Sequence, residues 1–269
     1  MKILGIVGSP RKDKGLTDAL VQKALDGAST VGAQADVMYL MDREPQPCIH
    51  CGGGCFQTHK CAVEEDAARR SQEVYESDAI ILGAPVYIWQ INGLTANFID
   101  KLRLQDATPP CRTTNARPAL GISVAGGTGS GLISAIQSIY KFFCLWGFYA
   151  IEPLPVTRHN FESALQTAWN QGKLLAELAE GKRNFEDIGS CLAHYAKLPL
   201  LRFDTVDEML YLSQIITDNT TVNDANRQTY NNAIEHQRTA KALIADGNRI
   251  EAAHHAGRAY EFAREAYDG

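Results

Sequence analysis

An apolar run, Ile3-Leu-Gly-Ile-Val7, stops at Gly8, and Ser9-Pro-Arg-Lys-Asp-Lys-Gly15 then leads into an amphipathic segment that opens near Thr17. This order reads as a buried strand, a short loop and a helix start. Such a junction presents backbone N–H groups without partners, and the positive end of a helix dipole, to an anion. Ser9, Arg11 and Thr17 add side-chain donors. The loop has neither the Gly-x-x-x-x-Gly-Lys-Ser/Thr spacing of a nucleoside triphosphate loop nor the Gly-x-Gly-x-x-Gly of a dinucleotide fold. A single phosphate monoester fits it better. Taken alone, the loop also reads as an ordinary Gly/Pro turn.

The same alternation repeats along the chain. Apolar residues at helical spacing mark residues 17–31, 64–77 and 161–180, with further helices around Phe98 and Ile139. Strand-like runs fall at 35–40, 79–83, 119–125 and 148–156, the last broken by prolines. With the first run, these predict an α/β fold: a five-stranded parallel sheet with helices on both faces. Ligands of such sheets bind at the carboxyl ends of the strands. Two more loops are expected on that edge. Gly83-Ala-Pro-Val-Tyr-Ile-Trp89 carries aromatics suited to a flat ring. Ala125-Gly-Gly-Thr-Gly-Ser-Gly131 carries four glycines that let backbone approach a ligand closely. Core packing and plain turn chemistry are the alternative readings of these two.

With its three loops in this order, the chain resembles the flavodoxin-like NADPH-dependent FMN reductases. Gly8-Ser-Pro-Arg-Lys followed by Gly15-Leu-Thr17 is similar to their phosphate loop. Ala84-Pro-Val-Tyr87 with Phe98-Ile-Asp-Lys101 is similar to their isoalloxazine loop and the helix after it, and Ala125-Gly-Gly127 to their third flavin loop. The resemblance spans roughly residues 1–182. It implies that Ser9, Arg11 and Thr17 hold the FMN phosphate, that Pro85, Val86, Tyr87 and Trp89 border the ring, and that Gly126 and Gly127 close its other side. NAD(P)H is one donor the resemblance allows, and a ferredoxin-type protein is the other. No catalytic side chain is expected, because the flavin itself exchanges the electrons.

Cys48-Ile-His-Cys51-Gly-Gly-Gly-Cys55-Phe-Gln-Thr-His-Lys-Cys61 places four thiols within fourteen residues. Thiolates are soft donors suited to zinc or to iron–sulfur iron. Zinc, an iron–sulfur cluster and metal-free thiols are the competing explanations. The run resembles the cysteine motif of iron–sulfur flavoproteins, with one extra residue between Cys51 and Cys55. That resemblance implies a 4Fe-4S cluster on Cys48, Cys51, Cys55 and Cys61. His50 and His59 flank these cysteines as weaker candidates, and Arg112 and Arg117 are weak candidates for dinucleotide phosphates.

The formal net charge of −5 without a basic block argues against nucleic acid or an anionic membrane as partner. No apolar run approaches the ~20 residues that span a bilayer. The amino end enters a strand directly, so no secretory signal is expected there. Seven cysteines in such a chain suggest a reducing, cytoplasmic setting. Residues 1–198 are expected to form the flavin-binding domain, with the cysteine loop at 42–62, and residues 199–269 an α-helical extension. Thr205-Val-Asp-Glu208 reads as a capping box. Ile250, Ala253, Gly257, Tyr260 and Tyr267 are expected to stripe the last helix. That stripe, and the pairing common among flavin reductases, imply a homodimer or homotetramer. A flavin enzyme passing electrons to a small-molecule or protein partner is the expected function, with a non-catalytic electron carrier as the rival.

Overall fold

The computed structural model describes residues 1–102, 116–181 and 183–269. Its sheet is built from β1 (Lys2–Val7), β2 (Gln34–Tyr39), β3 (Ala79–Tyr87) and β5 (Pro118–Ala125), flanked by short β4 (Gln90–Ile91), β6 (Tyr149–Ala150) and β7 (Leu154–Thr157). The parallel order is β2-β1-β3-β5, with β6 and β7 both pairing β5 on its outer side. The predicted fifth strand is therefore present but split in two. Ile151 still donates its N–H to the Ala119 carbonyl at 2.9 Å, and the break falls at Glu152 and Pro153, the latter with no N–H to donate. The order reverses between β1 and β3, where such sheets open their ligand crevice.

Successive side chains of the strands point to opposite faces. Leu4, Ile6, Ile80 and Leu82 pack with Phe98, Tyr140, Phe143 and Tyr195. Those partners come from α4 (Gly93–Lys101), α5 (Leu132–Trp146) and α7 (Ile188–Lys197), beside α3 (Asp66–Glu76). Ile3, Val7, Ile81 and Ile122 pack on the other face against Leu20, Val21, Ala168 and Leu175. These come from α1 (Leu16–Ser29) and α6 (Phe161–Ala179). The two helices of that layer meet backbone to backbone. A Cβ on Gly27 would stand 1.9 Å from the Trp169 carbonyl oxygen, and one on Gly172 would stand 1.8 Å from that of Ala24.

One predicted boundary moves. The third strand was expected to end at Gly83 in a proline turn, but β3 continues through Pro85 to Tyr87 and folds back on β4, pairing Val86 with Ile91 and Tyr87 with Gln90. The turn lies at Ile88 and Trp89, both left-handed with φ of 46° and 65°. Pro85 lies beyond Gly83, where the pairing with β1 ends, and its carbonyl accepts the Asn92 N–H at 3.2 Å.

The carboxyl-terminal part is helical, as expected: α8 (Thr205–Asp218), α9 (Arg227–Ala245) and α10 (Arg249–Asp268). Two details differ. The buried stripe of α10 is Ala252, Ala256, Ala259, Ala263 and Ala266, while Ile250 is 80% exposed and Ala253 faces solvent. Alanines let α10 lie close on α8 and α9, so the larger side chains flank the contact. The expected capping box is also displaced. Asp204 is the N-cap, accepting from the N–H groups of Val206 and Asp207, and the Asp207 side chain answers the Asp204 N–H. Arg249 at the start of α10 grips Asp207 through both guanidinium nitrogens, at 3.0 and 2.9 Å. Glu208 thus has no part in capping its own helix.

Among the described residues, no helix is long and apolar enough to cross a membrane.

Candidate functional site

The loop after β1 folds on itself. The Ser9 hydroxyl accepts from the Arg11 N–H at 3.2 Å, and a Cβ on Gly15 would meet Ser9 Oγ at 3.2 Å and Arg11 Cβ at 3.3 Å. Ser9 and Thr17 are buried, at 4% and 3% exposure, while Arg11 is exposed. No side chain caps α1, whose N-cap is Gly15. Its first-turn N–H groups therefore have no capping side chain, and two buried hydroxyls and a guanidinium lie beside them. That donor set suits a dianionic phosphate. Lys12 is ion-paired with Asp42, which ties this loop to the segment after β2.

Hydrogen bonds join this loop to the second. Gly8 donates its N–H to the Gly83 carbonyl at 2.8 Å, and the Asn92 amide donates to the Gly8 carbonyl at 2.8 Å. The Thr95 hydroxyl donates to Asn92 Oδ1 at 2.6 Å, completing a fully buried relay. A Cβ on Gly8 would fall 2.0 Å from Thr95 Oγ1, so only glycine fits. Sequence reasoning overlooked Asn92 and Thr95. Asn92 begins α4 as its N-cap, yet its side chain makes no cap bond and serves Gly8 instead. An asparagine at a helix start ordinarily signals only a cap.

In the second loop, Pro85 is buried, Val86 half-buried, and Tyr87 and Trp89 exposed at 49% and 43%. The third loop carries exposed Gly126 and Gly127, the latter at φ 56°. The second and third loops meet at Gly131, whose φ is 88°. A Cβ there would stand 2.3 Å from Trp89 Cα and 2.9 Å from Val86 Cγ1. All three predicted loops are thus gathered on the carboxyl edge of the sheet. Between them lies an edge with anion donors at one end and exposed aromatic and glycine surface at the other.

The cysteine loop has firm ends and an exposed middle. Glu64 lies in a buried ion network with Arg70 and with Lys101, the latter at 2.5 Å, and also accepts the Gln46 N–H at 3.1 Å. Arg70 donates to the Arg43 carbonyl at 2.8 Å, and Asn97 to that of Pro45 at 3.0 Å. Burial beside Arg43 lowers the Arg70 guanidinium to about 10. Cys48 and Cys51 are exposed and Cys55 and Cys61 half-buried, all as thiols. Cys55 opens the one-turn α2 (Cys55–Thr58). Among the described residues, no three His, Cys, Asp or Glu side chains stand close enough to share a metal ion. Four thiols are a soft donor set, and Gly52 and Gly53 in the same loop both have positive φ.

The weaker candidates separate from the site. Arg117 donates to the carbonyls of Val74, Tyr75 and Ser77 at 2.7 to 2.9 Å and closes the end of α3, so its guanidinium serves the fold. Arg112 and Cys111 lie outside the described residues. His50 and His59 are exposed in the cysteine loop.

The NADPH-dependent FMN reductase family model matches residues 1–161. An iron–sulfur flavoprotein of Methanocaldococcus jannaschii is 31% identical over 197 residues, covering 67% of this chain and 98% of that protein. An iron–sulfur flavoprotein of Methanosarcina thermophila is 29% identical over 156 residues, covering 56% and 77%. In fold the chain is similar to an NAD(P)H:quinone oxidoreductase from Methanothermobacter marburgensis. The TM-score is 0.51 at 15% identity, covering 65% of this chain and 98% of that one. An NADH:FMN oxidoreductase in its apo form also aligns with a TM-score of 0.51, at 16% identity, covering 68% and 94%. The chain belongs to the NADPH-dependent FMN reductase family and is a flavin-dependent oxidoreductase related to the iron–sulfur flavoproteins.

Proposed function

We propose that this protein binds FMN across the three joined loops and moves electrons between a reductant and an acceptor, with a 4Fe-4S cluster on the cysteine loop as relay. The observation that carries the reading is the union of an uncapped helix start, two buried hydroxyls and an aromatic-and-glycine edge, the first two loops joined by hydrogen bonds and the third packed on the second at Gly131. In this reading Ser9, Arg11 and Thr17 hold the phosphate. Pro85, Val86, Tyr87 and Trp89 border the isoalloxazine ring, and Gly126 and Gly127 close it. Bound flavin supplies one- and two-electron chemistry, and the protein supplies orientation and a shielded setting. Cys48, Cys51, Cys55 and Cys61 would hold the cluster, which supplies one-electron transfer. Four soft donors in a glycine-hinged loop favour this, as do the names of the relatives.

Residues 1–198 form the flavin-binding unit and residues 199–269 the helical extension. The protein acts in the cytoplasm as a homo-oligomer, on a small-molecule or protein redox partner. Protein purified without oxygen and assayed for FMN, iron and acid-labile sulfide tests the cofactors. Flavin with iron and sulfide is the expected result, and one zinc per chain without sulfide overturns the cluster. Rapid reduction of the bound flavin by NADH or NADPH is expected of the enzyme. Reduction by a ferredoxin-type protein alone marks the carrier instead.

A further inference from the structure

Glu208 is 1% exposed and lies on α8, far along the chain from the loops that form the flavin edge. Its carboxylate accepts the Gly131 N–H at 2.5 Å and faces the N–H groups of Leu132, Ile133 and Ser134. It therefore caps α5 from another element. Gly131, the N-cap of α5, has no side chain of its own to do so. Burial pushes the Glu208 carboxyl pKa up, while those four N–H groups pull it down. Two further contacts reach the same loop. Tyr260 on α10 donates its hydroxyl to the Thr128 carbonyl at 2.6 Å, and Leu212 on α8 covers Gly129. Ala125, Leu132, Leu212 and Ile215 form one apolar cluster, against which Val86 of the second loop packs.

This set of contacts runs from α8 into the flavin edge without a gap. Glu208 holds Gly131, and Gly131 sits against the backbone of Trp89 and the side chain of Val86. Tyr260 holds Thr128, next to the exposed Gly126 and Gly127. The family match ends at residue 161, so the helices that supply these contacts lie outside it. We infer that Glu208 is a positioning residue of the flavin site: through Gly131 it sets the third loop and the Trp89 turn in the arrangement that receives the ring. The inference rests on the FMN reading above. The carboxylate touches no reacting atom in it; its role is to hold two loops in register for a planar ligand.

The test compares Glu208→Ala, Glu208→Gln and Tyr260→Phe in the full-length protein. FMN titration of the apoprotein, the visible spectrum and midpoint potential of the bound flavin, and thermal melting are read together. Glu208→Ala leaves the buried Gly131 N–H without its acceptor and removes the carboxylate from the start of α5, and its FMN affinity is expected to fall about tenfold or more, with a shifted potential. Glu208→Gln keeps an acceptor oxygen and should retain most of the affinity. Tyr260→Phe removes one hydroxyl near the surface, should fold normally, and should weaken FMN by a smaller factor in the same direction. A role confined to folding would lower the melting temperature of Glu208→Ala and leave affinity, spectrum and potential of the folded fraction unchanged. That result overturns the inference. Should Glu208→Ala not fold, unchanged FMN affinity and potential in Tyr260→Phe overturn it equally. A wild-type protein that takes up no FMN defeats the parent reading and this inference with it. Wild-type binding with indifferent variants defeats this inference alone.

Discussion

Arg11 is an exposed cation of the first loop, beside buried Ser9 and Thr17 and the uncapped start of α1. A guanidinium contact to a dianionic phosphate contributes about 1.5–3 kcal/mol. Arg11→Ala is therefore expected to lower FMN affinity by one to two orders of magnitude while thermal stability stays put, since the side chain packs against nothing in the core. Unchanged affinity in an apoprotein titration removes Arg11 from the site. That Ser9, Arg11 and Thr17 share one strand–loop–helix junction was legible, because they sit a few positions apart and local spacing fixes their relation. Glu208 was not. Read locally, its spacing from Thr205 suggests a capping box, and Asp204 and Asp207 take that work. The carboxylate is left to bond Gly131, 77 residues earlier in the chain, and no local pattern encodes such a partner. The glycines behave similarly. Gly126 and Gly127 are open, whereas Gly131 is required by the approach of Trp89, a residue from a different loop.

The period of the apolar residues identified the elements of the sheet and its covering helices well, because each buries one face and its pattern shows which. Their ends were less legible. The β3–β4 hairpin depends on two left-handed residues, Ile88 and Trp89, neither of which signals a turn by type. The α1–α6 contact also has no sequence signature beyond two glycines that look like helix weaknesses. Both lie where the partner's carbonyl would meet a Cβ, at 1.9 Å for Gly27 and 1.8 Å for Gly172. The opposing atoms are backbone and cannot swing aside. Gly172→Ala must therefore push α6 off α1, which outweighs alanine's better helix propensity and is expected to destabilise the fold by about 1–3 kcal/mol. A melting temperature equal to or above wild type would show that the two helices separate at no cost. The cysteine loop is the opposite kind of element, with an exposed middle and anchored ends. Its anchors Glu64, Arg70 and Lys101 lie outside the cysteine run and off the flavin loops. Cys51→Ser is accordingly expected to abolish iron and sulfide content yet leave FMN bound. Loss of both cofactors together would mean that the loop and the flavin edge fold as one unit.

The way copies of the chain meet follows from which apolar surface the monomer covers and which it leaves in water. The final helix was expected to carry an apolar stripe to be hidden against its own core or a second chain; its buried face is the alanine row, and that row is used against α8 and α9 within the same chain. Ile250 stands exposed at the start of α10, without a continuous apolar face around it. The apolar surface left uncovered lies instead at the β3–β4 turn. There Tyr87, Ile88 and Trp89 are exposed at 49%, 92% and 43%, three large apolar side chains in succession on the ligand edge. Adjacent large apolar side chains seldom stay in water unless something docks on them. A second copy meeting the same turn about a twofold axis covers both at once. We predict that the protein is a homodimer or homotetramer through this turn, and that Ile88→Asp shifts it to monomer. Buried-core contacts are untouched by that change, so the melting temperature of the variant should fall only by what the assembly contributes. Light scattering of the two proteins at matched concentrations decides the matter. A monomeric wild type ends the claim of assembly. An oligomer that survives Ile88→Asp unchanged moves the contact elsewhere on the molecule, and the exposed turn is then open surface beside the flavin edge.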